Sequence, residues 1–298
     1  MIYCILGQTA SGKTSLALSL ARKFSLPIIS ADAYQCYKVM QVGTDKPTRK
    51  DVEGLSYYFY DEYEPDQEMS VFLFQKECRP ILEDYLSKGK DVIVVGGNFL
   101  YVKALLYNYV FQEEKQNSRQ KYENMSLEEM RKLLLERSKE TFDSIDNQNP
   151  RRVIRALAQL DEGKTRKDIL LKNDGNPLYP TTFYQLEIDK EEGNKKIDER
   201  IDLMIQQGLV EECKHILEQY GENNRILSTI GYQEMVEVLK QGKEVDKKVF
   251  DLIKIHTHQY AKKQRTFLRH QFPNIIKGSK EKIEHLISEQ LKQTGNAN

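Results

Sequence analysis

Long apolar segments, paired cysteines and an excess of one charge are all missing from this sequence of 298 residues. No apolar run approaches the roughly 18 to 20 residues of a transmembrane helix, so we expect no membrane span. The four cysteines are scattered singly without a CxxC spacing, which argues against a zinc or disulfide framework and favours a reducing cytoplasm. Because 45 basic and 45 acidic residues cancel, only local clusters of Lys and Arg can indicate a nucleic-acid partner.

A glycine-rich loop follows the first apolar run. Residues 2–6, IYCIL, have strand length without a basic segment before them, and they lead into GQTASGKT at 7–14 and then into a helical pattern, SLALSLARKF. This is the phosphate-binding GxxxxGK[ST] pattern of nucleotide-binding and ATP-binding proteins, in its required context between a strand and a helix. Its amides, the helix dipole and the ammonium group would bind a diphosphate or triphosphate, while the Thr14 hydroxyl would bind magnesium. The predicted phosphate-binding residues are Gly7, Thr9, Ala10, Ser11, Gly12, Lys13 and Thr14.

Two further apolar segments end on residues suited to a site. LPIISAD ends at Asp32, and DVIVVGG ends at Gly96 and Gly97. Strands that alternate with helices indicate a parallel sheet, which binds ligands at the carboxyl ends of its strands. We therefore expect an α/β fold, a P-loop parallel sheet flanked by helices, in which Gly7, Asp32 and Gly97 converge.

Changes in amino-acid composition along the sequence divide the chain into three parts. Residues 1–110 are predicted to form the first part of the P-loop core. Residues 111–178 are rich in charged, helix-forming sequence with a Ser-x-x-Glu start at Ser126, and they are predicted to be a helical insertion domain. Residues 179–298 are predicted to complete the core, with a strand near 181–189 and C-terminal helices.

The loop alone leaves the fate of the phosphates open, because they could be transferred, hydrolysed or expelled as a leaving group. An ATPase typically needs an acid at the end of a further strand, and here the third strand ends in VVGGN without one. Asp32 is the carboxylate most clearly directed at the loop, with a helix-capping role as its alternative.

Seven segments resemble, in order and approximate spacing, those of the bacterial tRNA dimethylallyltransferase family. They are ISADAYQCY, VGTDKPT, VVGGNFLYVKALL, NPRRVIRAL, IDERIDLMIQQGLVEE, IGYQEM and HQYAKKQRTFLR, and the resemblance spans Met1 to about Phe272. It implies transfer of the dimethylallyl group of dimethylallyl diphosphate to N6 of an adenosine in the tRNA anticodon loop, expected at position 37, with Mg²⁺ as cofactor. The implied partners are tRNA and dimethylallyl diphosphate, with no membrane, and we expect a cytoplasmic monomer.

The resemblance also implies roles for individual residues. Asp32 would be the general base, Lys13 and Asn98 would take part in catalysis, and Arg200 would bind the diphosphate. The helical insertion would contact tRNA. The residues implied to bind tRNA are Asp32, Ala33, Tyr34, Gln35, Asn98, Arg151, Arg152, Arg155, Lys262 and Lys263.

Four nearby residues have two interpretations each. Tyr37 is either a base contact or a packing aromatic, and Lys46 is either a phosphate ligand or a solvated loop lysine. Tyr260 and Gln264 interleave aromatic and polar groups with the C-terminal basic residues, which favours RNA contact over a solvated face.

Several positions depart from the family pattern. Asn98 replaces a threonine and Phe99 replaces a glycine, and we expect the Phe99 ring to take volume from the site and lower activity, unless it turns into the core. Other departures are Gln8, Ala33, Tyr57, Tyr58, Lys196, His258 and Phe267. Two other functions stay open: a diverged paralogue that binds RNA with weak or altered activity, and a P-loop kinase of a small metabolite.

Overall fold

A parallel sheet forms the centre of the fold. The computed structural model describes residues 1–109, 111, 120–163, 175–272, 274–293 and 295. Within these ranges the strands are β1 (Ile2–Leu6), β2 (Ile28–Ser30), β3 (Tyr57–Tyr58), β4 (Val92–Gly96), β5 (Thr181–Leu186) and β6 (Ile276–Gly278). They form one six-stranded sheet in the order β3-β2-β4-β1-β5-β6, and every neighbouring pair is parallel. The predicted α/β fold is confirmed.

Helices connect the strands throughout the described ranges. They are α1 (Lys13–Phe24), α2 (Arg49–Val52), α3 (Val71–Ser87), α4 (Phe99–Leu106), α5 (Gln120–Glu123), α6 (Leu127–Arg137), α7 (Lys139–Ser144), α8 (Pro150–Asp161), α9 (Lys190–Gln206), α10 (Leu209–Tyr220), α11 (Gln233–Lys240), α12 (Lys247–Gln271) and α13 (Lys280–Gln293), with a 3-10 turn at Arg225–Ser228. None of the helices in the described ranges has the length and apolar character needed to cross a membrane.

The core explains why the central strands are continuously apolar. Every residue of β1 and β4 is buried, because helices cover both faces of a parallel sheet. One face packs against α1 and α13, whose buried residues include Leu16, Leu20, Ile283 and Ile287. The N-terminal ammonium group pairs with Asp91 at 2.6 Å, which holds the start of β1 beside the start of β4.

The chain divides into two compact units. The first unit comprises residues 1–105 and 179–298, and the second comprises residues 106–178. Inside the second unit, α6 begins with a capping box in which the Ser126 hydroxyl accepts from the Glu129 amide and the Glu129 carboxylate accepts from the Ser126 amide. Its core contains Met130, Leu134 and Leu157. Residues 112–119 and 164–174 of the predicted insertion lie outside the described residues.

Candidate active site

The phosphate loop leaves β1 and ends at the first turn of α1. Gly12 has φ +84°, a left-handed conformation that glycine adopts at no steric cost, and α1 begins at Lys13. The Lys13 ammonium group donates to the carbonyl of Gln8 at 3.2 Å, so its side chain folds back over the loop. The start of a helix and the lysine charge therefore point into the same space, which suits an anion.

Lys13 is surrounded by charges of both signs. Burial and the guanidinium charge of Arg200 lower the pKa of Lys13 to about 8, while the carboxylates of Asp32 and Asp45 act in the opposite direction. The ammonium group is thus poorly hydrated, and a bound anion would gain more from it than from a fully solvated lysine.

Three strand ends meet beside this loop, as the sequence predicted. The amide of Ala31 donates to the carbonyl of Val95 at 2.7 Å, which joins the end of β2 to the end of β4. At Gly97 an added Cβ would lie 2.6 Å from Nε2 of Gln264 and 3.5 Å from the Lys13 ammonium nitrogen. A glycine at this position leaves room for that close approach.

A small polar pocket of about 80 Å³ lies between these strand ends. It is lined by Thr9, Lys13, Thr14, Ser30, Asp32, Gln35, Thr44, Asp45, Tyr57, Val95, Gly96, Gly97, Arg200, Tyr260 and Gln264. Cationic, hydroxyl and carboxylate groups dominate this lining. We call it the phosphate pocket.

A larger cavity of about 290 Å³ lies alongside. It is lined by Thr9, Asp32, Tyr34, Gly43, Thr44, Ile197, Arg200, Ile201, Met204, Leu209, Ser228, Thr229, Ile230, Gly231, Ile253, Thr257 and Tyr260. Helices α9 and α12 supply most of its apolar wall, so we call it the apolar cavity. The two spaces share Thr9, Asp32, Thr44, Arg200 and Tyr260.

Asp32 is fixed at the junction of the two spaces. Its Oδ1 accepts from the amide of Tyr34 at 2.9 Å and from the amide of Gln35 at 3.2 Å. These bonds hold the carboxylate in a defined orientation in the first turn after β2. A carboxylate held in this way beside the phosphate pocket can accept a proton from a ligand in the apolar cavity.

Arg200 crosses from α9 to the phosphate loop. Its guanidinium donates to the Thr9 hydroxyl at 2.8 Å and pairs with Asp45 at 3.3 Å. The structure therefore brings Arg200 to the phosphate pocket, where the family resemblance implied it. Asp45 was not predicted, although its position next to Thr44 and Lys46 in VGTDKPT marks a segment that carries part of the resemblance.

Helix α12 contacts the phosphate loop through two consecutive residues. The Gln264 side chain accepts from the Thr9 amide at 2.8 Å and donates to the Gly97 carbonyl at 2.9 Å. Arg265 donates to the Gln8 side chain at 2.5 Å. Gln264 is buried, so it is not part of a solvated face. It lines the phosphate pocket, and Tyr260 lines both spaces. Their contact with RNA stays a prediction.

Two residues near Asp32 serve the structure of the loop. The buried ammonium group of Lys46 pairs with Asp61 at 2.7 Å and donates to the Tyr37 carbonyl at 2.7 Å, so it is neither a phosphate ligand nor a solvated lysine. Tyr37 is buried and its hydroxyl accepts from the Met69 amide, which identifies it as the packing aromatic. Gln35 is also buried and donates to the Thr44 carbonyl.

Phe99 turns away from the site. Its ring is only 4% exposed and lies 5.7 Å from the ring of Phe267 and 6.3 Å from that of Phe272. The expectation that this ring fills the site is therefore wrong. Asn98, whose amide donates to the Ala31 carbonyl at 3.3 Å, and Ala33 border the site without lining either space.

The basic residues implied to bind tRNA lie on exposed helix surfaces. Lys262 and Lys263 are exposed on α12 in the first unit. Arg151, Arg152 and Arg155 are exposed on α8 in the second unit, where Arg152 lies 3.9 Å from Asp146. Their contact with RNA stays a prediction.

Oxygen donors in the phosphate pocket suit a hard divalent cation. Thr14 and Ser30 contribute hydroxyls and Asp32 and Asp45 contribute carboxylates to its lining. Within the described ranges no group of three or more His, Cys, Asp or Glu side chains could hold a metal ion. Mg²⁺ commonly binds through few protein oxygens together with substrate phosphates and water, so this donor set fits that ion in the presence of a diphosphate.

Comparison with known proteins gives a consistent result. The family model described as IPP transferase matches residues 35–271. A tRNA dimethylallyltransferase from an Exiguobacterium strain is 35% identical over 92% of this chain and 89% of its own length. The crystal structure of the tRNA isopentenylpyrophosphate transferase of Staphylococcus epidermidis matches with a TM-score of 0.71 and 30% identity, over 98% of this chain and 99% of the other. A eukaryotic dimethylallyltransferase acting on tRNA matches with a TM-score of 0.79 and 25% identity, over 94% of this chain and 73% of the other. This chain belongs to the IPP transferase family.

Proposed function

We propose that this enzyme transfers the dimethylallyl group of dimethylallyl diphosphate to N6 of an adenosine in tRNA, at position 37 of the anticodon loop. The observation that carries the proposal is the junction between the two spaces: Asp32 lines both the phosphate pocket, which contains Lys13 and Arg200, and the apolar cavity. A prenyl diphosphate has one charged end and one apolar end. The two adjoining spaces are complementary to such a molecule.

The phosphate pocket holds the leaving group in this proposal. The amides at the start of α1, the Lys13 ammonium and the Arg200 guanidinium bind the diphosphate, and they stabilise the negative charge that grows as the C–O bond breaks. Thr14 would hold Mg²⁺, which supplies further charge neutralisation on the diphosphate oxygens when it is bound. The phosphate loop thus binds a leaving diphosphate in place of a nucleotide.

The apolar cavity holds the reacting carbon and the acceptor base. The side chains of Ile197, Ile201 and Met204 exclude water from one wall. An adenine must leave its stack to present N6 here, and aromatic side chains such as Tyr34 and Tyr260 can stack on an extruded base. The apolar cavity is the larger of the two spaces, as is needed if it holds both the dimethylallyl carbon chain and the adenine.

Asp32 acts as the general base. The N6–C bond forms while the C–O bond to the diphosphate breaks, so the electron pair leaves with the diphosphate and N6 must lose a proton. The Asp32 carboxylate accepts that proton, because it lies between the two spaces and its Oδ1 is oriented by two backbone amides. Asn98 borders this position and remains a proposed contributor to it.

The exposed basic residues supply the tRNA surface in this proposal. Lys262 and Lys263 lie on the same helix as Tyr260. Arg151, Arg152 and Arg155 belong to the helical second unit, which we propose is the tRNA-contacting insertion between the two halves of the core. We propose that the enzyme is a monomer. We also propose that it acts in the cytoplasm, in agreement with its four free, buried cysteines.

A binding comparison separates this proposal from a metabolite kinase. A kinase should bind ATP with magnesium more tightly than dimethylallyl diphosphate, whereas we expect the opposite order.

Two substitutions in the phosphate loop test its proposed occupant. Lys13→Ala should weaken binding of dimethylallyl diphosphate and slow its single-turnover transfer to tRNA, and Thr14→Ala should change the magnesium dependence. Tighter binding of ATP, or normal binding and reaction in both variants, would overturn the proposed occupant of the loop.

A further inference from the structure

The loop that precedes α2 presents a carboxylate to the phosphate pocket, where a negative charge opposes anion binding. Asp45 lines this pocket together with Lys13 and Arg200. At 62% exposure its side chain is the more solvated partner of the pair with Arg200, which is 24% exposed. An ion pair this exposed stabilises a fold by at most about 1 kcal/mol, so stability does not account for its position.

The backbone at Asp45 is held in an unfavourable conformation. Its φ is +49°, in the left-handed region that non-glycine residues seldom adopt. Three groups hold the flanking loop in place: the Glu212 carboxylate accepts from the amides of residues 41–43, Gln35 donates to the Thr44 carbonyl, and Lys46 is buried against Asp61. A rigid frame therefore presents the Asp45 carboxylate to Arg200.

Arg200 is held at two points. Its Nε pairs with Asp45 at 3.3 Å, and its terminal nitrogen donates to the Thr9 hydroxyl in the phosphate loop at 2.8 Å. A guanidinium has five N–H donors in a planar fork, so these two contacts fix its plane and leave other edges for a ligand. Without Asp45 one of the two fixed points is lost.

We infer that Asp45 is a positioning residue that holds the Arg200 guanidinium in the orientation that receives the leaving diphosphate. The inference deepens the proposed function and rests on it. Asp45 itself need not touch the diphosphate. It acts through Arg200, since its carboxylate pairs with Nε, the nitrogen that connects the fork to the Arg200 side chain.

The direction in which the affinity for pyrophosphate changes tests this role without any catalytic turnover. Removal of a negative charge beside an anion should tighten binding if charge alone matters. We expect the reverse for Asp45→Ala: the dissociation constant of inorganic pyrophosphate with magnesium, measured by calorimetry, should rise about 3- to 10-fold because Arg200 is no longer held. Asp45→Gly should behave alike and relieves the positive φ, so it covers the case in which the alanine variant folds poorly. Asp66→Ala, at another exposed acid, is the matched control and should leave the constant unchanged.

A conservative variant and a double-mutant cycle complete the test. Asp45→Asn keeps an oxygen that can accept from Nε, so pyrophosphate should bind within about 2-fold of wild type or more tightly. In an Arg200→Ala background, Asp45→Ala should no longer weaken binding, since the two residues act as one unit. Tighter binding in Asp45→Ala, or a weakening that persists without Arg200, would overturn the inference. Dimethylallyl transfer by the wild-type enzyme in a parallel assay reports on the proposed function separately.

Discussion

Asp32 is the residue on which the proposed chemistry depends most. Replacing it with alanine removes the proton acceptor at the junction of the two spaces while the phosphate loop is left intact. We predict that Asp32→Ala lowers the single-turnover rate of prenyl transfer by about two to four orders of magnitude, the usual range for general-base catalysis, and changes tRNA affinity far less. A variant that keeps more than about a third of the wild-type rate would show that Asp32 is not the general base.

Phe99 and Phe267 are two departures from the family pattern whose rings contact each other, Phe99 being buried and Phe267 partly buried. A ring appears at 99 where the resemblance implies glycine, and a smaller ring appears at 267 where it implies tryptophan. Their centroids are 5.7 Å apart. The smaller ring at 267 offsets part of the volume that Phe99 adds, and Phe99 lines neither of the two spaces.

This pairing predicts a stability effect in place of an activity effect. Phe99→Gly should lower the free energy of unfolding by about 3 to 5 kcal/mol, as large-to-small core substitutions do, without a faster transfer step. Adding Phe267→Trp should recover part of the loss, although that change alone should destabilise through overpacking. Urea denaturation of the four proteins measures this coupling. Additive losses, or a faster single-turnover rate in Phe99→Gly, would contradict it.

At the scale of elements, α12 joins the two halves of the proposed reaction. Thr257, Tyr260 and Gln264 face the two spaces, while Lys262 is exposed on the opposite side of the helix. Lys263 is also exposed, and it lies one turn after Tyr260 because residues three apart are neighbours on a helix surface. A single helix can thus contact the donor site and RNA.

The exposed lysines of α12 make a prediction about salt. Lys262→Ala/Lys263→Ala should weaken tRNA binding and reduce the slope of log affinity against log salt concentration by about one to two units, since each phosphate contact contributes somewhat less than one. Pyrophosphate affinity should stay unchanged. Lys247→Ala/Lys248→Ala, with two exposed lysines in the first turn of the same helix, is the matched control. An identical slope in all three proteins would show that Lys262 and Lys263 are solvated surface residues that do not contact RNA.

The local parts of the site were predictable from the sequence, and the long-range parts were not. The phosphate loop is a contiguous run whose amides act together, so eight adjacent residues suffice to predict it. The pairing of Asp45 with Arg200 joins segments that are distant in sequence, and no periodicity connects them. The burial of Lys46 depends on Asp61, and strand β3 has only two residues, too few for a pattern.

At the scale of the whole chain, the sequence of the first unit is interrupted by the second unit, which has a hydrophobic core of its own. Described residues of the 106–178 unit pack around Leu134, Val153 and Leu157, while residues before and after this unit supply neighbouring strands β1, β4 and β5 of one sheet. Charged, helix-forming sequence predicts an insertion domain at residues 111–178, since its composition differs from that of the apolar strands around it. The positions of Arg151 and Arg155 on the exposed side of α8 agree with a basic surface on that unit.

Nucleoside analysis of a tRNA substrate examines the function of the whole enzyme. Total tRNA from a strain that lacks the modification would be incubated with radiolabelled dimethylallyl diphosphate, magnesium and the protein, then digested and separated. We predict label in a single nucleoside, an adenosine prenylated at N6, with release of one diphosphate for each group transferred. Lys13→Ala should abolish most of this label. Wild-type protein that binds tRNA and dimethylallyl diphosphate together but incorporates no label would contradict the proposed reaction.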